Sequence, residues 1–393
     1  MRPEERQGRL ERARRTLARR HGEKLLAEVT GGVELRARRD ASALLAYTIA
    51  VAVHALTLVL AAAGIWWIVR GWGGISMALG LFPLALAWGL RPRLPRLPKD
   101  EPVLRRETAP ELFALIDETA LVAGTRGVDT IAVDAELNAS VTTYGLRGRR
   151  LLTLGLPLWQ ILPPRQRIAL LVHELGHYGN GDSRHGLVVA TACRSLTAWR
   201  YYFALTPKPN IVQLVVNLAC FVPGLLVTGV LRLLDRLTMR AAQRAEYLAD
   251  RVAARAASTE AAVELMDRLL VVDSAATTLR REANQAALRG ARRTGQAGDQ
   301  DRGEGLWERL AVHMASIPEY EYERLRRVGA LRGHSVDATH PPTHLRRTGL
   351  LTGPVHPAAV VTGEEREGRI AAELADARSR TARQILRDGF PDR

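Results

Sequence analysis

The run LLVHELGHYGNGD, Leu170 to Asp182, holds His173 and His177 four residues apart, with Glu174 between them. Residues four apart share one face of a helix, so the two imidazoles can grip one metal ion together. Glu174 would then stand beside that ion, ready to take a proton from bound water. A hydrolytic zinc needs three protein ligands and one open position for water. The third ligand should be a carboxylate or His brought in from elsewhere. Cys193 and Cys220 lie in apolar surroundings that suit buried, inert thiols in a reducing compartment. The segment RAEYLADR offers Glu246, with Asp250 four residues on and on the same helical face. Standing alone, such a pair is a solvated helix face. Behind HExxH it reads as a ligand helix, with Glu246 ligating and Asp250 fixing the tautomer of a zinc-bound histidine.

These groups need elements to hold them. Pro163-Pro164 opens a helix whose apolar stripe is Ile168, Leu171, Val172 and Leu175, and Gly179 and Gly181 end it. Upstream, residues 110–123 read as an amphipathic helix broken by Gly124-Thr-Arg-Gly127. Residues 129–134 and 149–155 read as strands, joined across ELNASVTTYGLRG. The expected fold class is α+β, mostly helical, with a small β-sheet and transmembrane helices. Residues 289–305 lack apolar periodicity and read as a mobile loop, with a lid over the site as the functional alternative. Residues 364–386 read as one charged amphipathic helix for packing or partner contact. His185, His313, His334, His356 and the EYEYE run at 319–323 are expected on solvated or packing faces.

Residues 42–69 carry no formal charge and are long enough to cross ~30 Å of hydrocarbon. A second apolar run covers residues 75–90 after the turn at 70–74. His54 inside the first run reads as a neutral, hydrogen-bonded side chain. Arginine flanks both ends of this hairpin, so the positive-inside rule puts residues 1–41 and everything after Arg91 in the cytosol. Between the two proposed ligand helices lies an apolar insert, 186–231. It is either a second membrane hairpin or a helical pair packed on the catalytic domain. The expected organisation is thus an Arg-rich segment 1–41, a transmembrane hairpin 42–91, a catalytic domain 92–350 containing that insert, and a helical tail 351–393. The formal charge of +15 invites a nucleic-acid reading. However, Lys24, Lys99 and Lys208 are the lysines among 56 basic residues, and no aromatic-rich basic module accompanies the arginines. Attraction to anionic membrane lipids is the better use of the charge, and no nucleic-acid partner is expected.

With these residues in order, the chain resembles the membrane zinc metallopeptidases that include the CAAX prenyl proteases and the heat-shock protease HtpX, peptidase family M48. HELGH with downstream EYLAD carries the resemblance. Asn138-Ala139 stands where the family has its NA-containing edge segment, Asp182 follows the second histidine as in the family, and ATHPPTHLRR supplies His340-Pro341-Pro342 and Arg346. His344 and Leu345 stand where HtpX-like relatives are often acidic. The match in order runs from about residue 100 to 347.

The resemblance implies a gluzincin-like domain with one Zn2+ per chain on His173, His177 and Glu246. Glu174 would be the base, and Asp250 and Asp182 would lie behind the ligands. It implies His340 and Arg346 as donors to the developing oxyanion, with a structural ion pair as the alternative role of Arg346. Asn138, Ala139 and the strand region to Tyr144 would hold an extended peptide or protein substrate. The expected activity is a membrane-anchored endopeptidase in membrane-protein quality control or peptide processing. Its location would be a bacterial-type cytoplasmic membrane, multi-pass, with the site facing the cytosol. The competing reading is a catalytically silent, zinc-stabilised membrane adaptor. Sequence leaves the substrate and oligomeric state open.

Overall fold

A computed structural model of the chain describes residues 16, 20, 22–28, 41–72, 74–92, 96–98, 101–145, 147–179, 183–292, 305–332 and 340–390. It is mostly helical with one small mixed sheet. The chain divides into two compact units, one formed by residues 1–36, 96–180 and 243–393, the other by 37–95 and 181–242.

The first unit carries the sheet. Its strands are β1 (Val103–Leu104), β2 (Thr130–Asp134), β3 (Ala139–Tyr144) and β4 (Arg149–Gly155), in the order β1-β2-β4-β3. β2 and β4 run parallel, with Ile131 opposite Leu152, while β3 runs antiparallel to β4. The apolar runs of β2 and β4 are buried almost throughout, as strands covered on both faces must be. The segment joining the two expected strands is itself a strand, β3. Its β-branched VTT suits a pleated surface, and Gly145 and Gly148, both at positive φ, make the turn into β4.

Against this sheet packs a core that includes Phe113, Ile116, Leu154, Trp159, Ile168 and Leu171. Pro110 starts helix α3 (Pro110–Val122), and Pro164 starts helix α5 (Pro164–Gly179) after the short α4 (Leu156–Ile161). The C-terminal end is two helices, α13 (Glu364–Glu373) and α14 (Ala375–Asp388), rather than one. Glu373, last in α13, accepts the backbone N–H groups of Glu111 and Leu112 at 2.8 and 2.9 Å, satisfying donors a helix start leaves open. At the N-terminal end of the chain, residues 22–28 are helical, and Leu25 is buried with Tyr247.

The second unit holds α1 (Ala41–Arg70), α2 (Ile75–Leu90), α6 (Ser183–Tyr202) and the first part of the long helix α7 (Ile211–Ala257). Gly64 of α1 faces Gly80 of α2 so closely that a Cβ on either would strike the other's carbonyl oxygen. This is the small-residue packing of apolar helix pairs. Ala46, Ala50 and Val53 bury against Leu196 and Trp199, whose indole N–H donates to the Leu90 carbonyl at 2.9 Å. His54 Nε2 lies 3.2 Å from the Val188 carbonyl, a partner for a neutral imidazole. Among the described residues, α1 and α7 are long and apolar enough to cross a membrane. Exposed Leu58, Trp66, Phe82, Trp88, Val215 and Leu218 stud this unit. Together these features suggest membrane association.

One glycine ties strand to site. A Cβ on Gly155 would collide with the carbonyl oxygens of Glu136 and Asn138, whose segment leads into β3. Gly155→Ala is therefore expected to destabilise the protein by about 2 kcal/mol. That would lower the unfolding midpoint by about 2–3 °C in a detergent-solubilised thermal scan.

Candidate metal centre

Helix α5 presents His173, Glu174 and His177, and the C-terminal part of α7 presents Glu246 and Asp250. The two helices come close because the residues at their crossing are small. A Cβ on Gly176 would lie only 3.3 Å from the Ala249 Cα. Gly176 sits between the two histidines in sequence, and Ala249 between Glu246 and Asp250, so the crossing brings the four side chains to one place.

The histidine rings stand edge to face, with centroids 4.9 Å apart. His173 Nδ1 lies 3.0 Å from Asp250 Oδ1. An Nδ1–H given to that carboxylate leaves Nε2 as the ring's lone-pair nitrogen. The Nε2 atoms of His173 and His177 then face Glu246, 3.4 Å from Oε2 and 3.5 Å from Oε1 respectively. Zinc–ligand bonds of about 2.0–2.1 Å in a tetrahedron separate neighbouring ligand atoms by about 3.4 Å. Each histidine nitrogen is thus about that far from one Glu246 oxygen, an arrangement compatible with such an ion. Glu246 Oε2 is buried and meets no strict hydrogen-bond criterion, its positive neighbours His173 Nε2 and Arg346 Nη1 each standing 3.4 Å away. One donor atom from each of His173, His177 and Glu246 lies within 4.8 Å of the others. These three residues could hold the metal.

Arg346 lies beneath them, 2% exposed. Its Nε and Nη2 donate to Asp250 Oδ2 and Oδ1 at 2.9 and 2.6 Å, a two-pronged pair, and its Nη1 is 3.4 Å from Glu246 Oε2. Arg346 and Asp250 offset each other's charge, which leaves Glu246 to balance the protonated His173 or a cation that replaces its proton. Burial works against ionising both acids, yet Arg346 and His173 hold Glu246 down at about 2 and Asp250 well below the usual carboxylate range. His177 is pushed down to about 4 by burial and by the neighbouring His173. His173 is the reverse case. Burial and Arg346 oppose its charge, but the hydrogen bonds of Asp250 and Glu246 prevail and raise it to about 10. Burial of its carboxyl raises Glu174 to about 7. His340 Nε2 lies 3.3 Å from Glu246 Oε1, carried by the turn before helix α12 (Thr343–Leu351).

A cavity opens beside Glu174 and His340. Exposed Asn138 is on its rim, and Leu158, Leu170, Met266 and Val272 are among its apolar walls. The last two come from α8 (Thr259–Leu270) and α9 (Val272–Arg292). Sequence reasoning named neither helix as part of the site. The strongly one-sided apolar pattern of α8 was the signal available. Ala139 begins β3. Of the residues named from sequence, Asp182 lies outside the described residues, as do 293–304, most of the expected loop.

Residues 108–352, more than half of the chain, match the family model for peptidase family M48. The chain belongs to that family. Membership makes it a metallopeptidase, and a His, His, Glu group compatible with zinc lies within the matched segment. Searches of curated proteins and of solved structures returned no match.

Two expectations follow for this M48 peptidase. A protonated His173 competes with metal, and below about 10 it is protonated in the metal-free protein. His177 is already neutral at neutral pH. Zinc binding to apoprotein between pH 7 and 8 should therefore release about one proton per ion, and affinity should rise about tenfold per pH unit. Calorimetry in buffers of different ionisation enthalpy reads both. Gly176→Val should push α5 from α7 and weaken zinc retention against a chelator by about tenfold or more.

Proposed function

We propose that this chain is a zinc-dependent endopeptidase of a bacterial-type cytoplasmic membrane, multi-pass, with its site facing the cytosol. It would cleave peptide or protein substrates in membrane-protein quality control or peptide processing. The observation that carries the reading is the meeting of His173, His177 and Glu246 from two helices, with Glu174 beside them. Orientation rests on the arginines flanking the α1–α2 hairpin.

Zinc on those three residues would supply a Lewis acid that lowers the pKa of water toward ~7 and polarises the scissile carbonyl. Glu174 takes the proton of the attacking water on its carboxylate and delivers it to the leaving amine. Its raised pKa, near neutrality, suits a group that must both accept and return a proton. Asp250 holds the His173 Nδ1 proton and so keeps Nε2 toward the ion.

Two roles were open for Arg346. Its double hydrogen bond to Asp250 favours a positioning residue, which steadies Asp250 and through it His173. His340, partly exposed beside the cavity, is the better donor to the developing oxyanion. Ala139, first in the edge strand, would pair its main chain with the extended substrate, and Asn138 beside it would meet the substrate from the cavity rim. Asp182 would lie behind the ligands.

Glu174→Gln should bind zinc at wild-type stoichiometry and lose about 10²–10⁴-fold in turnover of casein peptides. Wild-type turnover by this variant would remove the reading. Stoichiometric zinc in a wild-type protein that cleaves nothing would favour the adaptor.

A further inference from the structure

Register decides what the edge strand offers. Gly155 N–H donates to the Asn138 carbonyl at 2.8 Å, and Ala139 stands opposite Leu154. In an antiparallel pair, hydrogen-bonded and non-hydrogen-bonded positions alternate. Asn138, Ser140, Thr142 and Tyr144 therefore turn their backbone groups toward β4. Ala139, Val141 and Thr143 turn theirs to the other side, where, among the described residues, no strand pairs with β3. An arriving peptide strand would find a ladder of alternate residues there.

One rung is already taken. The Tyr178 hydroxyl donates to the Val141 carbonyl at 2.8 Å. Tyr178 directly follows His177 on α5, and the Arg150 guanidinium lies 4.7 Å from the centre of its ring. The phenol is thus held from one side by Arg150 and spent on the strand edge at its tip.

We propose that Tyr178 sets the length of the substrate strand. A bound peptide pairs with Ala139, beside the cavity of Asn138 and Glu174, and its ladder ends at Val141 because the Tyr178 phenol stands on that carbonyl and competes with the peptide N–H for it. Substrates are thereby held by a short extended segment, and residues beyond the Val141 position add no main-chain bond. This inference rests on the peptidase reading above and on β3 as the substrate edge.

The test uses full-length protein and nested casein-derived peptides, lengthened one residue at a time on either side of a cleaved bond. In the wild type, KM should stop improving once the peptide reaches the Val141 position. Tyr178→Phe keeps the ring and frees the carbonyl. Its ratio of long-peptide to short-peptide KM should fall about three- to tenfold, the size of one added hydrogen bond, with zinc content unchanged. Binding of the same labelled peptides to Glu174→Gln and to Glu174→Gln/Tyr178→Phe, by fluorescence anisotropy, gives the same comparison without turnover. Identical length dependence with and without the hydroxyl would overturn this inference and leave the peptidase reading standing. Failure of the wild type to cleave any peptide would overturn both.

Discussion

The close crossing of α5 and α7 is the constraint on which the rest depends. A hydrolytic metal site needs ligands from distant parts of a chain held to within a few tenths of an ångström. Here that accuracy comes from backbone contact: Gly176 has no side chain, Ala249 has a methyl group, and the two helices meet at that point. Small residues at a crossing let main chains set the distance, and main chains have fewer ways to relax than long side chains. The histidines and Glu246 then need only ordinary rotamers to converge. Sheet and apolar core serve this crossing by seating α5, whose Ile168, Leu171, Val172 and Leu175 are buried almost completely.

Electrostatics complete what packing starts. Burying His173, Glu246, Asp250 and Arg346 together would be costly if any charge stood alone. Arg346 and Asp250 answer each other through two hydrogen bonds. Glu246 keeps one oxygen outside any strict hydrogen bond. The protein thus neutralises the ground beneath the site and holds a buried carboxylate among the imidazoles. A cation is the natural complement of that arrangement, and membership of a metallopeptidase family agrees with it.

How much of this was legible beforehand depends on sequence distance. His173, Glu174 and His177 are local, and helical periodicity alone puts the two imidazoles on one face. The family and the mostly helical α+β class followed from those residues together with EYLAD and HPP, and the family match agrees with both. Nonlocal facts were harder. Whether Arg346 donates to a substrate or pairs with an acid turns on Asp250, 96 residues away. The bond from Tyr178 ends on a backbone carbonyl, which leaves no trace in side-chain identity. ASVTTY mixes polar with apolar residues, so its own pattern was weak; the family resemblance marked it as a strand edge, and it forms β3. The bonds from Glu373 to the start of α3 join groups more than 260 residues apart, which no local pattern reveals.

Chain order gives the site a timetable. His177 and Glu246 lie on either side of the segment 181–242, about half of the second unit. On a ribosome adding about 5–20 residues per second, roughly three to fifteen seconds separate the emergence of the two ligands. Throughout that interval the nascent polypeptide carries its histidines but lacks the glutamate that completes the donor set. The His, His, Glu group can therefore assemble only after the apolar stretch of α7 has been synthesised.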